Sequence, residues 1–208
     1  MKRYRLLELL SSGHACDTYD AWSHERGCRV IVRTGDVRRE GRLLRRLTHP
    51  NIVRVYEVHR DWMVLETLSG ATLAALPALE RDDALEMGRQ LCSAVGYLHR
   101  KGSLHLDLKP DNLIADGGRL KLIDFSIAQR PGRVTPGTGT RRWMAPEQMS
   151  GGRVTTATDV WGIGAVLRAV GLDCEIAEDP ARRPTVQDVI RWLDGLESPR
   201  PAHTRQAA

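Results

Sequence analysis

Lysine is scarce in a chain otherwise rich in positive charge. Of 31 cationic residues among 208, only Lys2, Lys101, Lys109 and Lys121 are lysine, and the other 27 are arginine. A site whose chemistry calls for a compact ammonium therefore has few places to sit. Phenylalanine is scarcer still, with Phe125 alone. The four cysteines, Cys16, Cys28, Cys92 and Cys174, include no C-x-x-C pair, which argues against both a zinc site and a disulfide framework and fits a reducing cytoplasm. Long apolar runs are also missing: Glu8 interrupts MKRYRLLELLSS, and Arg168 cuts the stretch 161–172. Both are too short for a signal peptide or a span, so no membrane anchor is expected. A disordered polar composition is excluded as well, because 41% hydrophobic and 27% charged residues are an ordinary globular balance.

What is present is unevenly arranged. Residues 1–65 carry 13 Lys and Arg against 8 Asp and Glu, whereas residues 66–208 carry 18 of each, so the net charge of +5 sits in the first third. That third reads as strands (LLELL, DTYDAW, CRVIVR, NIVRVYEV, WMVLE). Beyond Gly70 the spacing becomes helical, as in ALEMGRQLCSAVGYLH. One helix, from about Val37 to Leu47, interrupts the strands. At 100° per residue, Leu43, Leu44, Leu47 and Glu40 share one sector, and Arg38, Arg39, Arg42, Arg45 and Arg46 fan out opposite. A carboxylate on a buried face needs a cationic partner, and Arg33 is the nearest candidate in sequence. The arginine fan reads as a solvated face, with an acidic partner or nucleic acid as the alternative.

The densest chemistry lies in Leu104-His105-Leu106-Asp107-Leu108-Lys109-Pro110-Asp111-Asn112. In an extended backbone the leucines bury and His105, Asp107 and Lys109 are presented together. A strand at Leu113 and Ile114, the turn Asp116-Gly117-Gly118 and a return strand over 119–123 bring Asp124 back near Asn112. Asn112 and Asp124 are hard oxygen ligands of the kind Mg²⁺ accepts. Asp107 is placed to take a proton from an attacking hydroxyl, and Lys109 to neutralise charge on a transferred phosphoryl group. Magnesium-dependent phosphoryl transfer follows as the hypothesis.

These residues resemble the eukaryotic-type (Hanks-type) Ser/Thr protein kinase family, over nearly the whole chain to about Leu196. HLDLKPDN is similar to that family's catalytic loop and DFS at 124–126 to its DFG motif, with Phe125 at the packing position. GTRRWMAPEQ resembles the end of the activation loop, with Thr140 beside the catalytic Asp and Ala145-Pro146-Glu147 as the APE motif. The resemblance implies that Asp159 holds the catalytic-loop backbone, that Arg183 pairs with Glu147, and that Glu40 pairs with the strand cation at position 33. It implies ATP and Mg²⁺ as cofactors, with Gly13, Ile31, Arg33, Glu40, Leu65, Glu66, Leu68 and Leu113 around the nucleotide and VLETL as the hinge. The expected fold class is α+β, a two-lobed kinase-like fold: a β-rich lobe over 1–66, a hinge over 67–70, a shortened helical lobe over 71–196, and a disordered tail over 197–208. The expected partner is a protein substrate or a regulatory protein; neither membrane nor nucleic acid is expected.

Departures cluster at the nucleotide. The glycine-rich loop becomes Ser11, Gly13 and Cys16, and VIVR replaces VAIK, with Ile31 for Ala and Arg33 for Lys. Ser126 replaces the DFG glycine. Leu106 stands where many members have an Arg that grips a phosphorylated loop, so Thr135, Thr138 and Thr140 lack that receptor. GLDCEIAEDPARR, from Gly171, replaces several helices that usually help to dock substrates. Alternatives to an active kinase are a pseudokinase acting as a partner-binding module, favoured by Ile31 and Arg33, and a small-molecule phosphotransferase.

Overall fold

The computed structural model describes residues 3–13 and 16–196. The tail expectation for 197–208 lies outside them. Strands β1 (Tyr4–Ser12), β2 (Cys16–Ser23) and β3 (Cys28–Gly35), helix α1 (Arg38–Leu44), and strands β4 (Val55–Val58) and β5 (Trp62–Glu66) build the first lobe. Its antiparallel sheet runs β1-β2-β3-β5-β4. Period-2 alternation along β3 buries Val30 and Val32 against Tyr4, Ala21 and Val64, and turns Ile31 and Arg33 to the other face. β1 is an edge strand, and its leucines at 6, 7, 9 and 10 stay exposed.

Helix α1 ends earlier than its sequence period suggests. The N–H groups of Arg46 and Leu47 reach carbonyls three residues back (2.9 and 3.0 Å), so the last turn tightens to 3₁₀ geometry. Leu44 and Leu47 nevertheless enter the core, Glu40 is buried, and the five arginines of the fan are exposed.

The second lobe is helical: α2 (Arg81–Arg100), α3 (Pro146–Ser150), α4 (Thr156–Ala169) and α5 (Val186–Gly195), with α2 packed on α4 and α5. Short strands complete it, β6 (Ala71–Thr72), β7 (Leu113–Asp116) and β8 (Arg119–Leu122) in one sheet, β9 (Gly132–Arg133) and β10 (Arg153–Val154) in another. Gly117 and Gly118, at φ 57° and 75°, make the two-residue turn that only left-handed residues close well.

The crossing between lobes is tight. A Cβ on Gly70 would lie 1.7 Å from the Ala115 carbonyl oxygen, and the N–H groups of Ser69 and Gly70 both donate to Asp116 Oδ1 (2.9 and 3.1 Å). Buried Asn51 adds a second tie by donating to the Gln90 side chain and to the Leu120 carbonyl. One continuous apolar cluster then runs from Val37 and Leu44 through Leu113, Leu122 and Phe125 to Leu193. Among the described residues, no helix is long and apolar enough to cross a membrane. The four cysteines are free thiols, and burial pushes Cys92 up to about 12.

Candidate active site

The loop 104–112 meets the sheet lobe in a cleft. Leu104, Leu106 and Leu108 are buried as alternation requires, but His105 is fully buried too. Leu106 adopts a left-handed φ of 70°, which breaks the alternation and turns His105 inward, away from Asp107 and Lys109. The His105 ring packs edge-on against Phe125 (4.8 Å), Nε2 donates to the Ile123 carbonyl (3.2 Å), and Nδ1 accepts from Asp107 N–H (3.3 Å). Burial lowers its pKa, and that bonding pattern is the neutral tautomer's.

Asp159, near the start of α4, stabilises the bend. Its carboxylate accepts from the N–H groups of His105 and Leu106, each at 2.9 Å, and from His99 Nε2 at 2.8 Å. Gln148, which no sequence motif singled out, holds the same loop from the other side. Its amide nitrogen donates to the carbonyls of Leu106 and Thr138 (2.8 Å each), and its oxygen accepts from Ala145 N–H. The only signal available was a Gln at the third position of a helix opened by Pro146, where a side chain reaches back to cap the turn.

Three groups converge on Asp107. One oxygen accepts from Thr140 N–H (2.9 Å), and the other from the Asn112 amide (3.1 Å), with Lys109 Nζ at 3.2 Å. Lys109 also donates to Thr140 Oγ1 (2.8 Å). Asn112 is oriented by a second bond to the Asp107 carbonyl, and its Oδ1, not among the buried atoms, has no donor among the described residues. Ile123 N–H donates to the Asn112 carbonyl (3.0 Å), which sets Asp124 beside it.

Asp124 sits at φ 58°, a region short polar residues tolerate. Burial opposes its charge, but Arg33 and the Ser126 bonds outweigh that and hold its carboxyl below the usual range. Arg33 Nη1 bonds Glu40 Oε1 (2.8 Å) and lies 3.6 Å from Asp124 Oδ1. Glu40 Oε1 also accepts from Phe125 N–H (2.9 Å). Burial lifts the Glu40 carboxyl above its ordinary range against the pull of Arg33. Among the described residues Arg33 Nε is buried without a partner, while Nη2, also without one, is not buried.

A cavity of about 300 Å³ opens over these groups. Its apolar walls include Leu10, Ile31, Leu65, Leu68 and Ile114, and its polar end holds Arg33, Asn112 and Asp124. Leu113 is not on the wall. The 3₁₀ turn at Pro110–Asn112 sets the phase of β7 so that Leu113 faces the core and Ile114 the cavity. Gly13 is exposed at the β1–β2 hairpin and does not line the cavity either; Ser11 and Thr18 do. Glu66 borders it, but its side chain pairs with Lys121 (2.5 Å). Leu68 N–H donates to nothing among the described residues, so an edge acceptor of a planar ligand would find a donor there.

The donor set fits a magnesium nucleotide. No cluster of three or more His, Cys, Asp or Glu able to hold a metal occurs among the described residues. Asn112 and Asp124 alone supply two hard oxygens, the arrangement in which waters and phosphate oxygens complete the shell of a small cation. Arg33 lines the same end.

Away from the cleft, Arg183 and Glu147 form a bidentate pair (2.7 and 2.8 Å) with the arginine side chain fully buried. The short segment from Gly171 to Arg183 folds onto α4, with Ile176 against Gly164 and Cys174 O accepting from Arg168.

Comparison with known proteins gives the family. The protein kinase domain family matches residues 8–196. The chain is 34% identical over 192 residues to CBL-interacting protein kinase 19 of Oryza sativa subsp. japonica, covering 79% of this chain and 38% of that protein. Serine/threonine-protein kinase RUNKEL of Arabidopsis thaliana is 31% identical over 190 residues (80% and 14%), and calcium/calmodulin-dependent protein kinase type 1 of Macrobrachium nipponense 29% over 189 (79% and 55%). The chain thus spans about half or less of the length of these relatives. With a sheet lobe, a helical lobe and a Ser/Thr-type loop between them, the chain belongs to the Hanks-type Ser/Thr protein kinase family.

Proposed function

We propose that the chain transfers the γ-phosphoryl group of ATP to a Ser or Thr hydroxyl of a protein, with Mg²⁺. The observation that carries this reading is the convergence on Asp107, where one carboxylate is fixed by Thr140 N–H, Asn112 and Lys109 at 2.9 to 3.2 Å. A carboxylate so held presents a basic oxygen in a set position, which is what proton removal from an acceptor hydroxyl needs. Lys109, placed between Asp107 and Thr140, carries the cation that meets charge developing on the transferred group. Asn112 and Asp124 would hold the cation, and Arg33 the phosphates. Bound MgATP supplies the phosphoryl group and screens its charge. Residues 67–70 serve as the hinge, with the Leu68 N–H toward adenine, between lobes at 1–66 and 71–196. The free thiols support the reading of a reducing compartment such as the cytoplasm.

Asp107→Asn tests the reading. Labelling of a generic protein acceptor, or of the chain itself, is expected to fall about 10²-fold or more, while the thermal stabilisation by MgATP persists. Equal labelling by the variant overturns Asp107 as the base, and absence of any MgATP shift in the unaltered chain overturns the nucleotide site.

A further inference from the structure

The arginine fan is not only a solvated face. A second concavity, about 740 Å³, lies outside the catalytic cleft between α1 and the segment that follows Phe125. One wall carries Arg39, Arg42, Arg45 and Arg46, and the other carries Arg130. No carboxylate lines it, so every ionisable group facing the space is a guanidinium. Arg39 Nη2 is spent on the Ala128 carbonyl (3.1 Å), and Arg42 uses Nε on the Arg38 carbonyl (3.2 Å). None of Arg42, Arg45, Arg46 and Arg130 has an acidic partner among the described residues. Glu40, the acid of the same helix, points to the opposite face and is consumed by Arg33 and Phe125.

Five like charges around one hollow repel one another, and a ligand carrying several negative charges relieves that repulsion. Leu43 and Ala128 place apolar surface among the guanidinium groups, and the Ser103 hydroxyl and Gln129 amide add hydrogen-bonding groups. Such a lining suits a peptide with mixed acidic and apolar side chains. Single-stranded nucleic acid is served less well, because no aromatic side chain lines the hollow to stack a base. We propose that this pocket docks an acidic segment of a protein partner, bridging α1 and Arg130. The bridge parallels the inner tie between α1 and the same segment, Glu40 to Phe125 N–H. The occupant therefore grips the two elements whose relative position sets Arg33 against Asp124.

The test is binding of a fluorescein-labelled Glu-rich peptide with interspersed leucines to the full chain, followed by polarisation. The R42E/R46E double variant is expected to bind about tenfold or more weakly, from loss and reversal of two exposed charge contacts. R141E/R142E alters the net charge equally at a remote segment and is expected to bind within about twofold of the unaltered chain. R42A/R46A replaces the reversal if its melting temperature shows a folding defect. Unchanged binding by R42E/R46E, or equal loss in both charge-reversal variants, overturns the site. Tighter binding of an oligonucleotide of equal charge, lost in R42E/R46E, overturns the choice of a protein partner. None of these readouts needs ATP or phosphate transfer, so the outcome is independent of Asp107.

Discussion

Replacing Arg183 by Met removes the most heavily bonded cation among the described residues while keeping an apolar stem of similar length. The wild-type guanidinium donates to both oxygens of Glu147 and to the carbonyls of Ala157 (3.0 Å), Ala177 (2.8 Å) and Glu178 (2.6 Å), and it lies 5.2 Å from the Trp161 ring. After the change Glu147 keeps one side-chain donor, Thr158 Oγ1, and three carbonyls lose theirs. Breaking a buried pair on one side costs about 3 to 5 kcal/mol, a large part of the roughly 5 to 15 kcal/mol that holds a domain folded. For a chain of this size that is a fall of about 6 to 20 °C in melting temperature. Urea unfolding checks the free energy and melting the temperature. Glu147→Gln should cost a similar amount, and the double variant less than the sum, since each single change strands the other partner. The acid limb gives a second readout. Burial disfavours the Glu147 anion, but Arg183 and Thr158 prevail and hold its carboxyl below the ordinary 4.5. A depressed acid stabilises fully above its unfolded value and loses that contribution as pH falls through the folded one. The unaltered chain should therefore lose stability below about pH 4.5 more steeply than R183M. Single variants each costing under about 1 kcal/mol, with additive effects, would refute the account of this pair as a buried anchor.

Two other changes probe the departures from the family pattern. Arg33→Lys keeps a cation near Glu40 but removes the fork, so MgATP affinity should be maintained or raised if Arg33 serves the phosphates; a loss of first-lobe stability without any change in nucleotide affinity, read by thermal shift, would reduce Arg33 to a structural partner of Glu40. Leu106→Ala empties the apolar contact that Leu104, Leu106 and Val154 make with Ile127 and Val134; it should cost about 2 to 5 kcal/mol and expose residues 127–154 to limited proteolysis, and an unchanged cleavage rate would show that the polar ties through Gln148 and Thr140 hold that segment without it.

The legible parts of the chain were those in which spacing and chemistry coincide. Glu40 could be placed inward because three leucines share its helical sector, and the β7–β8 hairpin because Gly117-Gly118 closes a two-residue turn. Where the backbone leaves regular geometry, period counting misleads. Alternation over 104–109 predicted His105 beside Asp107, and one left-handed residue, Leu106, buried it; the 3₁₀ turn before β7 exchanged Leu113 for Ile114 on the cavity wall. Contacts between distant segments carried no local trace. Gln148 lies 42 positions from Leu106, whose carbonyl it satisfies, and Asn51 69 from Leu120.

The two cationic positions of the cleft show why a chain so poor in lysine keeps one there. Lys109 lies within 3.2 Å of both Asp107 and Thr140, on side chains that also need other donors. An ammonium fits between them because its three protons point in separate directions from one atom, whereas a planar fork would force the two oxygens into one plane. Arg33 has a different task. It meets two carboxylates, Glu40 at 2.8 Å and Asp124 at 3.6 Å, and also lines the open cavity. There Nη1 serves the two carboxylates while Nη2, without a partner among the described residues, stays free for a ligand, and the cost appears at Nε, buried without a partner among those residues. The substitution at position 33 thus trades one unsatisfied N–H for reach. The corresponding exchange at position 109 has no such reward, because its two acceptors already lie within reach of a single nitrogen.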